Sequence, residues 1–462
     1  MEHTIPIGDM YVEMTPLCIA VQLHNIPMVH LLLENGANVD GCATEESWDD
    51  YTNRDRQWPC LRQTPLATAV QNGDTDMVFL LLEKGADVNN NQSSFGMTAI
   101  WFVSVHHATL FPGSNLDIHG LPPSDLDMIR LLAERGADLN IRMEQFEREE
   151  YMLVDVNTDT IAGRSLLVCA IDDGRQKFST NVRLIELLVE LGADIQARDD
   201  QGRSVLNVAM MMGNDVEQAI MAIQLLAKLG ADVNARNIHG QSALHEAVIW
   251  DWPWSDHDSG RSFRRMVIQS LAGLRRTLID IKDKKGLTPL HYASIRDGYT
   301  EAEALIVFRA NVNFKDKEGR SPLHYAVKHS SFNVVSLLIE AGANMDIKDV
   351  RGRTPLHYAA EFTDVNTVHV SDKSSGVPNE IITRKLIESG ANVFAEDDRG
   401  QIPAEMEMNS TGSACGIIRS EQNRIRAVQF HAFVMSQSGR SDEKSAASWL
   451  EPDTLREVYK YL

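Results

Sequence analysis

Long apolar runs are missing from this chain of 462 residues. No stretch reaches the roughly 18 to 20 uninterrupted apolar residues that cross a bilayer as a helix, so no helical membrane span is expected. Cysteine is sparse. Cys18, Cys42, Cys60, Cys169 and Cys415 are odd in number, far apart and without metal-ligand spacing. A disulfide scaffold or a zinc module is therefore not expected, and a reduced intracellular setting, cytoplasmic or nuclear, fits best. Positive charge is short as well: 44 basic against 65 acidic residues give a formal net charge of -21. General nucleic-acid binding needs a basic face to neutralise phosphates, and an anionic membrane surface makes the same demand. The opening residues Met1 to Pro6 hold no basic segment leading into an apolar run, so no secretory signal is expected. Phosphate loop, nucleophile elbow and zinc motif are all absent. Neither a metal nor a cofactor is expected.

What the chain does have is repetition. Leucine-rich stretches end in Gly-Ala followed by Asp or Asn at Gly36, Gly85, Gly136, Gly192, Gly230, Gly342 and Gly390. A second phrase, Thr/Ser-Pro-Leu-His-Tyr-Ala, is clearest from Thr288, Ser321 and Thr354, with starts 33 residues apart. In that phrase Ser321 can cap a helix by accepting a backbone N–H. Pro322 then takes the first helical position, where its missing N–H costs nothing. Val334, Val335, Leu337, Leu338 and Ile339 give a second apolar face of helical period. Gly342 ends that helix, since the residue just past a helix often adopts the left-handed conformation. Asp-x-x-Gly recurs between helix pairs at Asp199, Asp283, Asp316, Asp349 and Asp397, a pattern suited to a type I turn.

Two alternating phrases at this period resemble the ankyrin-repeat family over nearly the whole chain. The resemblance implies an all-α repeat solenoid of about nine helix pairs plus a degenerate closing repeat, with β-hairpin fingers between repeats. It implies a binding surface rather than an enzyme. It also implies that the recurring histidines, His245, His291, His324 and His357, hydrogen-bond backbone between neighbouring loops. Such a position, repeated once per unit, is architecture before it is chemistry. Tyr292, Tyr325 and Tyr358 are expected to pack between repeats.

The solenoid is expected over 1–435, with repeats near 13–40, 62–90, 96–140, 163–195, 202–234, 240–281, 286–313, 319–346, 352–393 and 400–432. A polar linker over 436–448 and an amphipathic helix over 449–462 follow. Spacing is regular only from Thr288 to Thr354, and the sixth and seventh repeats lack the glycine. Insertions over 40–62 and 141–162 lengthen fingers, while 104–124, 249–262 and 363–380 lengthen the loops between paired helices. The 249–262 insertion carries Trp250, Trp252 and Trp254. These either fold back as a lid on the stack or anchor a partner, tryptophan being enriched at interface hot spots. Asp256, His257 and Asp258 are adjacent, and adjacent residues rarely converge on one metal ion.

In the ankyrin family, partners meet the finger tips and the exposed end of the first helix. Carried onto this chain, that implies the positions around each Asp-x-x-Gly, which turn basic from the seventh repeat on. The partner-binding candidates are Lys284, Lys285, Lys317, Arg320, Arg351, Arg353 and Arg399, with Trp252 and Trp254. This run is either an ordinary solvated face or a positive edge that steers an acidic protein segment toward it. Leu455, Val458, Tyr459 and Leu462 form one apolar stripe in the last helix, behind Asp453 as a helix cap. Those last residues resemble a truncated F-box, which implies a substrate-recruiting adaptor of ubiquitin-ligase machinery. A further reading is an enzyme or small-molecule binder built on the inserted loops, with Trp252, Trp254, Asp256 and His257 as its wall.

Overall fold

Thr64 shows how the helix pairs with a proline start begin. Its backbone is extended (φ -75, ψ 157) and its side-chain oxygen accepts the Ala67 N–H at 3.2 Å. Pro65 then opens the helix with its φ already fixed. The same cap-and-proline start recurs at Thr15, Thr288 and Ser321. The computed structural model describes residues 3–7, 10–42, 61–92, 98–104, 123–141, 165–171, 178–199, 201–210, 216–250, 258–361, 379–406 and 413–438.

The helices of these residues come in consecutive pairs. They are α1 (Pro16–Gln22) with α2 (Ile26–Glu34), α3 (Pro65–Gln71) with α4 (Thr75–Glu83), and α5 (Ala99–Ser104) with α6 (Pro123–Glu134). Next come α7 (Leu166–Ile171) with α8 (Phe178–Glu190), α9 (Val205–Met210) with α10 (Val216–Lys228), and α11 (Ala243–Ile249) with α12 (Asp258–Ala272). Then follow α13 (Pro289–Ile295) with α14 (Tyr299–Val307), α15 (Pro322–Lys328) with α16 (Phe332–Glu340), and α17 (Pro355–Glu361) with α18 (Asn379–Glu388). A 3-10 turn at Pro403–Glu405 precedes the long α19 (Ser413–Ser438).

First helices are short and almost wholly buried; all six residues of α7 are. Their small residues let neighbouring helices approach closely: Ala67, Ala209, Ala247, Ala293, Ala326 and Ala359 have no exposed surface. Second helices bury one stripe, Met77, Val78 and Leu81 in α4, and Val334, Val335 and Leu338 in α16. Second helices of regular phrase stop in one way. After α4, Gly85 takes φ +89, its N–H donates to Leu82 O at 3.1 Å, and the Ala86 N–H reaches Leu81 O at 3.0 Å. That doubled closure needs a left-handed residue, which glycine supplies without strain.

A small sheet, which the helix-based sequence reading did not anticipate, precedes the first pair. β1 (His3–Ile7) pairs antiparallel with β2 (Met10–Met14), and β2 pairs in parallel with β3 (Leu61–Arg62). Pro6 lies in β1, an edge strand, where a missing donor is tolerated.

The chain divides into two units, Met1–Ile238 and His239–Leu462. Their charges differ sharply. The first holds 35 acidic and 16 basic residues, net -19; the second holds 30 and 28, net -2. Nearly all the excess negative charge therefore belongs to the first unit.

Candidate protein-interaction surface

The turns of the second unit are built by their aspartates. Asp316 Oδ1 accepts the N–H groups of Glu318 at 2.9 Å and Arg320 at 2.8 Å. Its backbone N–H donates to Arg320 O at 2.9 Å, closing the turn. Asp283, Asp349 and Asp397 hold their turns through the same pairs of side-chain contacts. The other carboxylate oxygen takes a tyrosine hydroxyl from the following helix: Tyr292 to Asp283 and Tyr325 to Asp316 at 2.8 Å, Tyr358 to Asp349 at 2.9 Å. Burial opposes the Asp316 charge, but the bonds from Tyr325 and Arg320 outweigh it and hold its carboxyl below the ordinary carboxylate range. Tyr292, half buried and donating to a carboxylate, is pushed up to about 12.

Histidines tie each repeat to the next turn. The Ser321 N–H donates to His324 Nδ1 at 3.1 Å, which makes Nδ1 an acceptor and places the ring proton on Nε2. Nε2–H donates to Arg353 O at 3.1 Å. His245 reaches Leu287 O, His291 reaches Arg320 O and His357 reaches Gln401 O at 3.0–3.1 Å. Burial disfavours the imidazolium and lowers His291 and His324 to about 4 each. Tyr292, Tyr325 and Tyr358 pack edge-on against His245, His291 and His324 at 5.9, 5.7 and 5.2 Å. These groups are fully used in holding the stack. In α9 the equivalent residue is Asn207, whose Oδ1 takes the Ser204 N–H at 3.0 Å while its buried Nδ2 has no hydrogen-bond partner among the described residues.

The turns also bond directly to one another. The Lys284 N–H donates to His239 O at 3.2 Å and the Lys317 N–H to Lys285 O at 3.3 Å. The Val350 N–H donates to Glu318 O at 2.9 Å and the Asp398 N–H to Arg351 O at 3.0 Å. Successive tips therefore form one hydrogen-bonded row. The contact is close enough that a Cβ on Gly286 would lie 2.8 Å from Lys317 N.

The basic candidates from the sequence separate into two kinds on this row. Lys284, Lys285, Lys317, Arg351 and Arg399 are exposed and make no ion pair among the described residues. Arg320 instead grips Asp316 through Nε at 3.0 Å and Nη2 at 2.9 Å, and lies over the Tyr325 ring at 4.8 Å. Arg353 pairs with Glu361 at 2.7 Å. Both arginines are engaged by a carboxylate of the same repeat. Sequence reasoning missed three further lysines, each one residue before a turn aspartate. Lys282 Nζ sits 4.4 Å from the Phe314 ring centre, Lys315 Nζ donates to Lys348 O at 2.8 Å, and Lys348 Nζ donates to Glu396 O at 2.7 Å. Their recurrence at the repeat spacing was the available signal. Across the turns at Asp283, Asp316 and Asp349, seven exposed basic side chains (Lys282, Lys284, Lys285, Lys315, Lys317, Lys348, Arg351) face a single exposed acid, Glu318.

Several candidates lie outside the described residues: Trp252 and Trp254, Asp256 and His257, and the stripe Leu455, Val458, Tyr459 and Leu462. Among the described residues no group of His, Cys, Asp and Glu is arranged to hold a metal ion, and no helix is long and apolar enough to cross a membrane.

The family pattern "Ankyrin repeats (3 copies)" matches residues 3–92, 265–349 and 290–370, and "Ankyrin repeat" matches residues 351–398. The chain carries ankyrin repeats over these spans. Among solved structures, a similar one is the crystal structure of the ankyrin repeat domain of Bcl-3, described as a unique member of the IkappaB protein family. It is 24% identical, with 56% of this chain and 99% of that chain covered and a TM-score of 0.45. No curated protein matches the chain.

Proposed function

We propose that this ankyrin-repeat protein is a protein-interaction scaffold whose second unit binds an acidic segment of a partner along its row of turn tips. The observation that carries this reading is the seven-to-one excess of exposed basic side chains on three hydrogen-bonded turns, in a chain of net charge -21. A solvated face needs charge of either sign. Here one sign is concentrated on three adjoining turns of a pre-ordered row, which steers an oppositely charged segment and costs little reorganisation on binding. The histidines and the turn aspartates are occupied in holding the row, and Lys315 and Lys348 are bonded to backbone carbonyls, which leaves Lys284, Lys285, Lys317 and Arg351 as the groups to meet a partner. The helix pairs and the closing 3-10 turn with α19 are read as nine repeats and a terminal cap, and the turns as the family's fingers.

Affinity capture from the native cell, with wild type beside the quadruple variant Lys284→Glu, Lys317→Glu, Arg351→Glu and Arg399→Glu, tests the proposal. The partner should be recovered by wild type and lost by the variant, and its binding should weaken as salt rises. Equal recovery by both proteins would sink the reading.

A further inference from the structure

A second surface stands out when the repeats are compared with one another. The last residue of the second helix is glutamate in six repeats: Glu34, Glu83, Glu134, Glu190, Glu340 and Glu388. In the fifth it is Lys228, in the sixth Ala272 and in the seventh Val307, and Val307 is 66% exposed. Two residues later, where the other second helices of regular phrase are closed by glycine, stands Arg309. Its backbone is still left-handed, with φ 66, and its N–H still donates to Ile306 O at 2.9 Å while the Ala310 N–H reaches Leu305 O at 3.0 Å. The closure of the helix is unchanged, but a residue that prefers other backbone angles has been placed in it.

The sixth repeat departs in the same sense. Asp280 Oδ1 accepts the Asn311 N–H at 3.0 Å, as Asn313 Oδ1 accepts the Asn344 N–H at 2.7 Å, so the two loops are in register. That register places Leu278 where other loops carry Asp or Asn. Those side chains accept the N–H two residues on, Asn311 from Asn313 at 3.0 Å and Asn344 from Asp346 at 2.9 Å. Leu278 gives up that bond and is 58% exposed. The Asp280–Asn311 bond joins its loop to that of Arg309, and a Cβ on Gly273 would lie 3.9 Å from the Phe308 ring. Arg275, also exposed, stands in the same loop as Leu278.

On these two adjoining loops, glutamate has thus given way to Val307, glycine to Arg309, and Asp or Asn to Leu278; the last two changes forgo a local stabilisation that the regular repeats keep, the unstrained left-handed closure and the side-chain bond to the backbone. Exposed aliphatic side chains and left-handed residues other than glycine also occur elsewhere in the chain, but here two exposed aliphatic side chains and a left-handed arginine fall together on adjoining loops, and such costs concentrate where a protein binds. We propose that the adjoining loops after α12 and α14 form a second docking site, for a segment of a partner protein that carries an aliphatic anchor flanked by carboxylates. Leu278 and Val307 would cover the anchor; Arg309 and Arg275 would meet the carboxylates, a guanidinium being suited to two-point contact with them. The site is separate from the row of turn tips and does not rest on that proposal.

The test uses the full chain and a short fluorescein-labelled peptide with a central Leu-Leu pair flanked by aspartates. Anisotropy should report binding to wild type, weakened about tenfold or more by Val307→Glu with Arg309→Gly, as for loss of an interface hot spot. The peptide with serines in place of its leucines, and the one with lysines in place of its aspartates, should each bind correspondingly less. Since Arg309→Gly removes a conformational cost, the variant should melt no lower than wild type, which keeps misfolding from mimicking the result. Absence of binding to wild type, equal binding to the variant, or equal loss in the turn-tip variant Lys284→Glu, Lys317→Glu, Arg351→Glu and Arg399→Glu would overturn the proposal. So would wild-type self-association in sedimentation that the Val307→Glu, Arg309→Gly variant loses, since the occupant is then a second copy.

Discussion

His324 donates its Nε2 proton to the backbone oxygen of Arg353 at 3.1 Å, a bond that joins the helix start of one repeat to the turn of the next. Removing the ring leaves that carbonyl and the Ser321 N–H without their partner in a buried site. His324→Ala should therefore cost about 2–4 kcal/mol in chemical denaturation. The chain itself supplies a graded control. Asn207 performs the capping half of the task and not the bridging half. His324→Asn should fall between wild type and His324→Ala; equal loss in both variants would show that the inter-repeat bond contributes nothing separable.

The same rings make stability depend on pH. His291 and His324 are lowered to about 4 from an ordinary value of 6.5. Between these values the unfolded chain binds protons that the folded chain refuses, so stability rises with pH across that window. The contribution is fully present above about pH 6.5 and is lost as pH falls toward 4, amounting to about 3 kcal/mol for each ring. Denaturation midpoints measured from pH 7 to pH 4.5 should drop steeply in wild type and less in His324→Asn. Parallel profiles would remove histidine as the cause.

Arg320 and Lys317 were one class in the sequence and are two in the structure. Arg320→Ala breaks a two-point contact with Asp316 and uncovers Tyr325, and it should destabilise by about 1–2 kcal/mol. Lys317→Ala, at an exposed tip, should change stability by no more than about 0.5 kcal/mol. For capture of an acidic partner the order should reverse, with Lys317→Ala the more damaging of the two once protein stability is matched.

That contrast shows what was legible in advance and what was not. Helix caps, the proline at the helix start, the terminal glycine and the Asp-x-x-Gly turn are all set by residues within four positions of each other, so a linear reading finds them. The partner of each histidine ring is not local. His291 and His324 reach an acceptor 29 residues on, whereas His357 reaches one 44 residues on, because an insertion intervenes. The family resemblance implied that bond; spacing alone could not have placed it. Whether a basic residue braces the turn or faces solvent depends on which carboxylate comes within reach, Asp316 for Arg320 and Glu361 for Arg353, and the residue type is silent on that. Of the small sheet, β3 was missed because Val12 pairs with Leu61 across an insertion, whereas the β1–β2 hairpin is local and was passed over by a reading built on helical period.

Glycines in this chain answer to two different demands, and substitution separates them. Gly319 has φ 75, and a Cβ there would sit 2.9 Å from Val350 N, the donor of the next rung in the row of turns. Gly342 has φ 84, but a Cβ there would meet nothing within 4 Å. Gly342→Ala should therefore cost only the conformational penalty of a left-handed residue, about 1 kcal/mol. Gly319→Ala adds a backbone collision that no side-chain rotation relieves, and should cost about 2–4 kcal/mol. Arg309→Gly runs the comparison in reverse: at φ 66 the change relieves the penalty and should stabilise the protein by about 1 kcal/mol. Thermal melts of the three variants should rank Arg309→Gly above wild type, then Gly342→Ala, then Gly319→Ala. If Gly342→Ala fell as far as Gly319→Ala, the contact between turns would not be the element that holds the row in place.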